Sequence, residues 1–202
     1  MRRDQEAAIL LIAGASCAGK DSIVTRLLQL RPELEKVITT TTRPPRVHER
    51  DGVHYHFRGP TDFRVAVEAG EFLEHTELYG HLYGLTRGEL ERIRRRGRVP
   101  LAIMSPDGVR TVSSLVPTVR IYVTAPLDHL ERRIRAERPP EQVPIRLRLV
   151  RSELFEAGDC YDLIVSNADG RLEEAVSEVL DFYDHIARAR LLPNRPPLVP
   201  TR

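Results

Sequence analysis

A doubly wound parallel α/β sheet, interrupted by a mostly β insertion, is the fold class this sequence predicts. Three observations predict it. Apolar runs of strand length alternate with segments of helical period. The first apolar run leads straight into a glycine-bounded turn that ends in a lysine and opens a helix. Between about 39 and 86 the pattern changes to short extended segments with a threonine run and paired prolines.

Each element follows in order. Residues 7–13, Ala-Ala-Ile-Leu-Leu-Ile-Ala, read as a strand buried on both faces. A helix follows over about 21–30, where Ile23, Val24, Leu27, Leu28 and Leu30 recur at helical spacing and Pro32 stops it. Val37-Ile38 begins a second strand, after which the threonines and Arg43-Pro44-Pro45-Arg46 form an extended loop. Residues 53–57 alternate as an exposed strand, Thr61-Asp62 caps a helix to about Ala69, and residues 72–75 form another strand. A basic helix spans 87–96, and residues 99–104 and 119–123 are buried parallel strands. Helices near 127–137 and 143–156 flank Pro139-Pro140, residues 163–165 make the last strand, and an amphipathic helix starts at about Leu172. The proline-rich tail 191–202 reads as disordered. Residues 1–190 then form one domain, with core 1–38 and 87–190, insertion 39–86 and a basic helix pair at about 132–151.

The chemistry begins at Gly14, Ala15, Ser16, Cys17, Ala18, Gly19, Lys20, Asp21 and Ser22. Two glycines let successive N–H groups point inward at an anion, Lys20 adds a point charge, and the following helix offers its positive end. These nine residues are therefore the expected phosphate site of a nucleotide. The usual pattern has a hydroxyl residue directly after the lysine. Here Asp21 holds that place and Ser22 follows, so both are expected to face Mg2+, since a carboxylate beside a triphosphate needs a cation between them.

Bulk composition narrows the alternatives. Thirty-one Lys+Arg against 29 Asp+Glu leave a net charge of +2, too near balance to argue for nucleic-acid binding. Cys17 and Cys160 make no disulfide framework, Asp4 and Glu6 interrupt any signal-peptide start, and no stretch approaches membrane-span length. The expectation is a cytoplasmic protein, monomer or homodimer, whose partner is a small nucleotide or sugar phosphate. Seven histidines lack Cys or carboxylate partners at ligand spacing and read as exposed polar residues.

The string Thr39–Arg46, then Glu49, Asp51-Gly52 and Tyr55-His56-Phe57, together with Glu71–Glu74, Tyr79–Gly84 and the phosphate loop, resembles the guanylate kinase family over about 7–182. The resemblance implies a P-loop kinase with a β monophosphate-binding insertion and a helical lid. Carried over, Arg43, Arg46, Tyr55 and Tyr83 grip the acceptor phosphate, Glu74 reads the guanine edge, and Thr39, Glu49 and Ser105 complete the substrate site. Independently of the family, two arginines braced by Pro44-Pro45 can present their forks to one dianionic phosphate. The lid arginines implied are Arg133 and Arg148, with Arg146 and Arg138 as competitors, and Asn167 lies beside the adenine. Lys20, Arg43, Arg133 and Arg148 then form the catalytic set for moving the γ-phosphoryl group of ATP onto GMP or dGMP.

The chain departs from that family at two places. Leu85 stands where the family has a hydroxyl, with Thr86 one residue late, and Ile103 and Ser105 replace an Asp-x-Asp, leaving Ser105 or Asp107 as substitutes. Gly-Lys-Asp-Ser with Asn167–Gly170 also resembles ribose 1,5-bisphosphate phosphokinase, which lacks the Pro-Pro-Arg and DG-x-x-Tyr elements and stands second. A non-catalytic guanylate-kinase-like binding module is the third reading.

Overall fold

The computed structural model describes residues 8–78, 80–156, 160–187 and Leu191, with backbone only at 153–156 and 186–187. The tail expected to be disordered therefore lies outside the described residues, apart from Leu191. A five-stranded parallel sheet runs in the order β2 (Leu34–Lys36), β7 (Val99–Ile103), β1 (Ile9–Gly14), β8 (Thr118–Thr124), β9 (Leu163–Ser166). Helices α1 (Lys20–Leu30), α5 (Leu127–Glu137), α6 (Val143–Glu156) and α7 (Leu172–Phe182) pack on one face. Helices α3 (Arg87–Arg95) and α4 (Pro106–Leu115) cover the other.

The unbroken apolar run of β1 follows from that sandwich. Leu10 and Ile12 pack with Ile23, Leu27 and Ile134 on one side, while Ile9 and Leu11 pack with Leu90, Ile93 and Val112 on the other. All four β1 side chains are fully buried, and each contributes roughly 1.5–3 kcal/mol. Because the strand has no polar face, its C-terminal end is rigid where the phosphate loop leaves it.

The insertion forms a second sheet in the order β4 (His56–Phe57), β3 (Thr40–Thr41), β6 (His81–Thr86), β5 (Phe72–Leu78). Helix α2 (Pro60–Glu68) seats Phe63 on Phe72, with ring centroids 4.4 Å apart. Several expectations shift here. The second core strand is Leu34–Lys36, which ends before Val37-Ile38. Residues 53–57 are not one strand. Gly52 donates to the Tyr55 carbonyl and Phe57 donates to Asp51 Oδ1, turning the chain until only His56–Phe57 pairs. Thr61-Asp62 does not cap α2, whose N-cap is Gly59 ahead of Pro60. Helix α4 and strands β3 and β6 go beyond the elements the sequence pattern predicts. Ser105 caps α4 by accepting from the Gly108 N–H, and Pro106 occupies its first turn.

Candidate active site

Main-chain atoms build the end of the site that adjoins β1. Gly14 has φ +152°, and a Cβ there would lie 2.1 Å from the Val123 carbonyl oxygen, so only glycine lets β1 turn this close to β8. Gly19 (φ +83°) is the N-cap of α1, and a Cβ on it would meet Asn167 Nδ2 at 2.4 Å. That Asn167 amide donates to the Ala18 carbonyl at 2.8 Å, fixing the loop from behind. Lys20 Nζ donates to the Gly14 and Ala15 carbonyls, both at 2.8 Å, which holds its charge at the loop mouth. Asp21 and Ser22 are exposed in the first turn of α1 and line the same cleft as Ser16, Cys17 and Lys20.

That cleft encloses about 820 Å³ and continues to the insertion, where Thr39, Arg46, Tyr55, Glu74, Tyr83 and Ser105 line it. Thr39 is held there because the chain leaving β2 is tied to α3, with the Ile38 N–H donating to the buried Glu89 at 3.0 Å. Glu49 organises the two arginines. Arg43 donates to both Glu49 oxygens at 2.8 Å, and the Arg46 N–H donates to the same carboxylate at 2.8 Å. Burial pushes the Glu49 carboxyl up, but the Arg46 N–H and the Arg43 guanidinium outweigh it and hold the group below its ordinary value. Arg43 also lies over the Tyr55 ring, 5.5 Å from its centroid, and Tyr55 meets Tyr83 edge to face at 6.1 Å.

Arg43 thus stands behind the cleft wall, clamped by Glu49, while Arg46 stands in it. Glu74 is 5 % exposed on β5, its Oε1 only 3.3 Å from where a Cβ on Gly108 would sit. Burial, and then the charge of Asp107, push its carboxyl up to about 7.

The lid region divides its arginines between two tasks. Arg133 donates to the carbonyls of Cys17 and Asn167 at 3.3 and 3.0 Å and pairs with Asp169, bracing a smaller recess of about 290 Å³ beside the loop. Arg146 Nη1 reaches Ser16 Oγ at 3.1 Å and lines the main cleft with Arg138. Arg148 does not line it and is exposed, because two residues along a helix turn a side chain through about 200°. The expected pairing of Arg133 with Arg148 is therefore replaced in the geometry by Arg133 with Arg146. Ser105 lines the cleft, though its oxygen already caps α4. Leu85 is fully buried in the core and Thr86 caps α3, so neither supplies a hydroxyl to the cleft.

Sequence reasoning missed Lys36, Thr76 and Arg110, which also line the cleft. Arg110 had a usable signal: Ser105-Pro106 is a helix start, and Val109 with Val112 at helical spacing sets the phase. Among the described residues no group of three or more His, Cys, Asp or Glu side chains stands ready to hold a metal, and no helix is long and apolar enough to cross a membrane.

A glycine-bounded loop ending in Lys20 and an arginine–tyrosine cluster open on one cleft beside a parallel sheet, which puts the chain among the P-loop kinases. Within that class it belongs to the guanylate kinase family, whose model, described as guanylate kinase, matches residues 6–186. The guanylate kinase of Frankia casuarinae is 37% identical over 163 residues, 79% of this chain and 89% of that protein. Those of Salinibacter ruber and Myxococcus xanthus are 36% and 34% identical, each over 85% of this chain, and 93% and 83% of their own lengths are covered. The crystal structure of guanylate kinase from Anaplasma phagocytophilum has the same fold, with a TM-score of 0.71 at 22% identity over 96% of this chain and 97% of that one. These relatives lend no support to the sugar-bisphosphate kinase or to the non-catalytic module.

Proposed function

We propose that this protein moves the γ-phosphoryl group of ATP onto the phosphate of GMP or dGMP. The observation that carries the reading is the shared cleft, with the amide loop at one end and Arg46, Tyr55 and Tyr83 at the other. Gly14 to Gly19 bind the triphosphate through N–H groups, and Lys20 turns its charge onto the outer phosphates. Arg46 holds the acceptor phosphate, Glu49 and the Arg43 behind it position that wall, and Tyr55 and Tyr83 close the shell. Thr39 and Glu74 flank the base, with the ionised Glu74 accepting from the guanine N1–H and amino group. Arg146 stabilises charge on the migrating group, while Arg133 and Asn167 keep the loop and the adenine side in place. Closure of 132–151 excludes water that would otherwise hydrolyse ATP.

Mg2+ fits the donor set. A small hard cation needs only one or two protein oxygens beside phosphates and water, and Asp21 and Ser22 offer a carboxylate and a hydroxyl in the cleft wall. When bound, it neutralises charge on the β- and γ-phosphates. The whole of 1–190 works as one unit in this reading, in the cytoplasm where its substrates are.

A coupled assay with ATP, Mg2+ and a panel of GMP, dGMP, IMP, AMP and ribose 1,5-bisphosphate tests the reading. GDP and dGDP formation is the expected result. Turnover of the sugar bisphosphate alone, or of nothing, overturns it.

A further inference from the structure

Resting on the reading of Glu74 as the base-reading carboxylate, we propose that Arg110 determines acceptor specificity by donating from its guanidinium to the O6 and N7 edge of guanine. A carboxylate that accepts from N1–H and the amino group leaves O6 and N7 needing donors, and a purine buried without them loses affinity. Leu85 is apolar and fully buried, Thr86 stands at the N-cap of α3 outside the cleft, and Ser105 offers a single O–H. Helix α4 brings a richer donor to the same corner. Its first turn packs over Glu74, with Gly108 against the carboxyl and Asp107 close enough to repel it. Arg110 lies one turn on, lines the cleft, and is held toward Asp107 by an ion pair.

The chemistry suits the site. A guanidinium is planar with five N–H donors, so it can keep its Asp107 contact and still present two parallel donors to O6 and N7, the commonest arginine–guanine pairing. Both members of the Asp107–Arg110 pair are half exposed or more, so reorienting the fork costs little. The charged group that acts on Glu74 is Asp107 from α4, while α2 meets β5 through the apolar Phe63–Phe72 contact. A guanidinium brought to the O6 and N7 edge beside Glu74 would also favour the ionised carboxylate that guanine requires.

The test uses 7-deaza-GMP, in which a C–H replaces N7. The unmodified protein is expected to use GMP better than the deaza analogue. In Arg110→Gln, kcat/KM for GMP falls roughly ten- to hundredfold, mostly through KM. In that variant GMP and 7-deaza-GMP become equivalent, and Arg110→Lys recovers part of the GMP preference. Arg110 is exposed, so the variants should melt as the parent does. An unchanged ratio of GMP to 7-deaza-GMP in Arg110→Gln, with normal turnover by the parent, overturns this assignment alone. Absence of GMP turnover by the parent overturns the functional reading with it.

Discussion

Replacing Glu74 with Gln removes a carboxyl whose ionisation is opposed by burial and by Asp107. Its ordinary value of 4.5 is raised to about 7 in the fold. A group bound more tightly by protons when folded stabilises the fold at low pH and loses that contribution as pH rises. The window is pH 4.5 to about 7, and at about 1.4 kcal/mol per pH unit the loss reaches up to about 3 kcal/mol. Gln has no such titration. The variant should therefore gain on the parent as pH is raised through this window, by up to about 6–12 °C in Tm for a chain of this size. Urea unfolding of both proteins without ligand, from pH 4 to 8, measures the difference. The kinetic sign is opposite: guanine needs the ionised carboxylate, so the parent's KM for GMP rises as pH falls below about 7, while the variant's KM is high and flat. A stability difference independent of pH, or one that shrinks toward pH 8, refutes the reasoning.

Arg146→Ala should lower kcat roughly ten- to hundredfold, with Arg148→Ala within about twofold of the parent, because of the two it is Arg146 that reaches the phosphate loop. Steady-state rates at saturating ATP and GMP decide it, and the reverse order refutes it. Gly14→Ala forces a methyl against the Val123 carbonyl and should cost at least about 1–3 kcal/mol, with a weaker Tm response to added ATP. A parental melting curve would contradict that geometry. Asn167→Ala should cost about 1 kcal/mol through the lost bond to Ala18 and raise KM for ATP, leaving KM for GMP unchanged.

Long buried strands and the phosphate loop were legible because their signals are local. Residues 7–13 are apolar without a break, and a glycine-bounded turn ending in lysine follows directly. Helix α1 began within a residue of its expected start for the same reason. What failed to show was set by tertiary pairing or by helix phase. Strands β3 and β6 are short or mixed in polarity and exist through each other, with Thr41 opposite Tyr83. Pro106-Asp107-Gly108 carries turn residues, yet a proline in the first turn behind a serine cap starts a helix instead. The choice of Arg148 over Arg146 turned on the rotation of α6, which is fixed by Val143 and Val150 facing the core. Arg43 was expected in the cleft wall, but a single acidic neighbour, Glu49, draws its fork behind it.

Recognition made from peptide amides has no side chain to lose. Between Gly14 and Gly19, Ala15 and Ala18 are fully buried and their N–H groups donate to the Val123 and Ala15 carbonyls, so sequence drift there is limited by the room left beside the sheet. The two flanking glycines have no such latitude, since one abuts a neighbouring strand's carbonyl and the other a side-chain amide. A survey of tolerated replacements across this turn would accordingly show rigid posts at its ends, small residues alone at 15 and 18, and at 17 a preference for residues that accept the positive φ of Cys17.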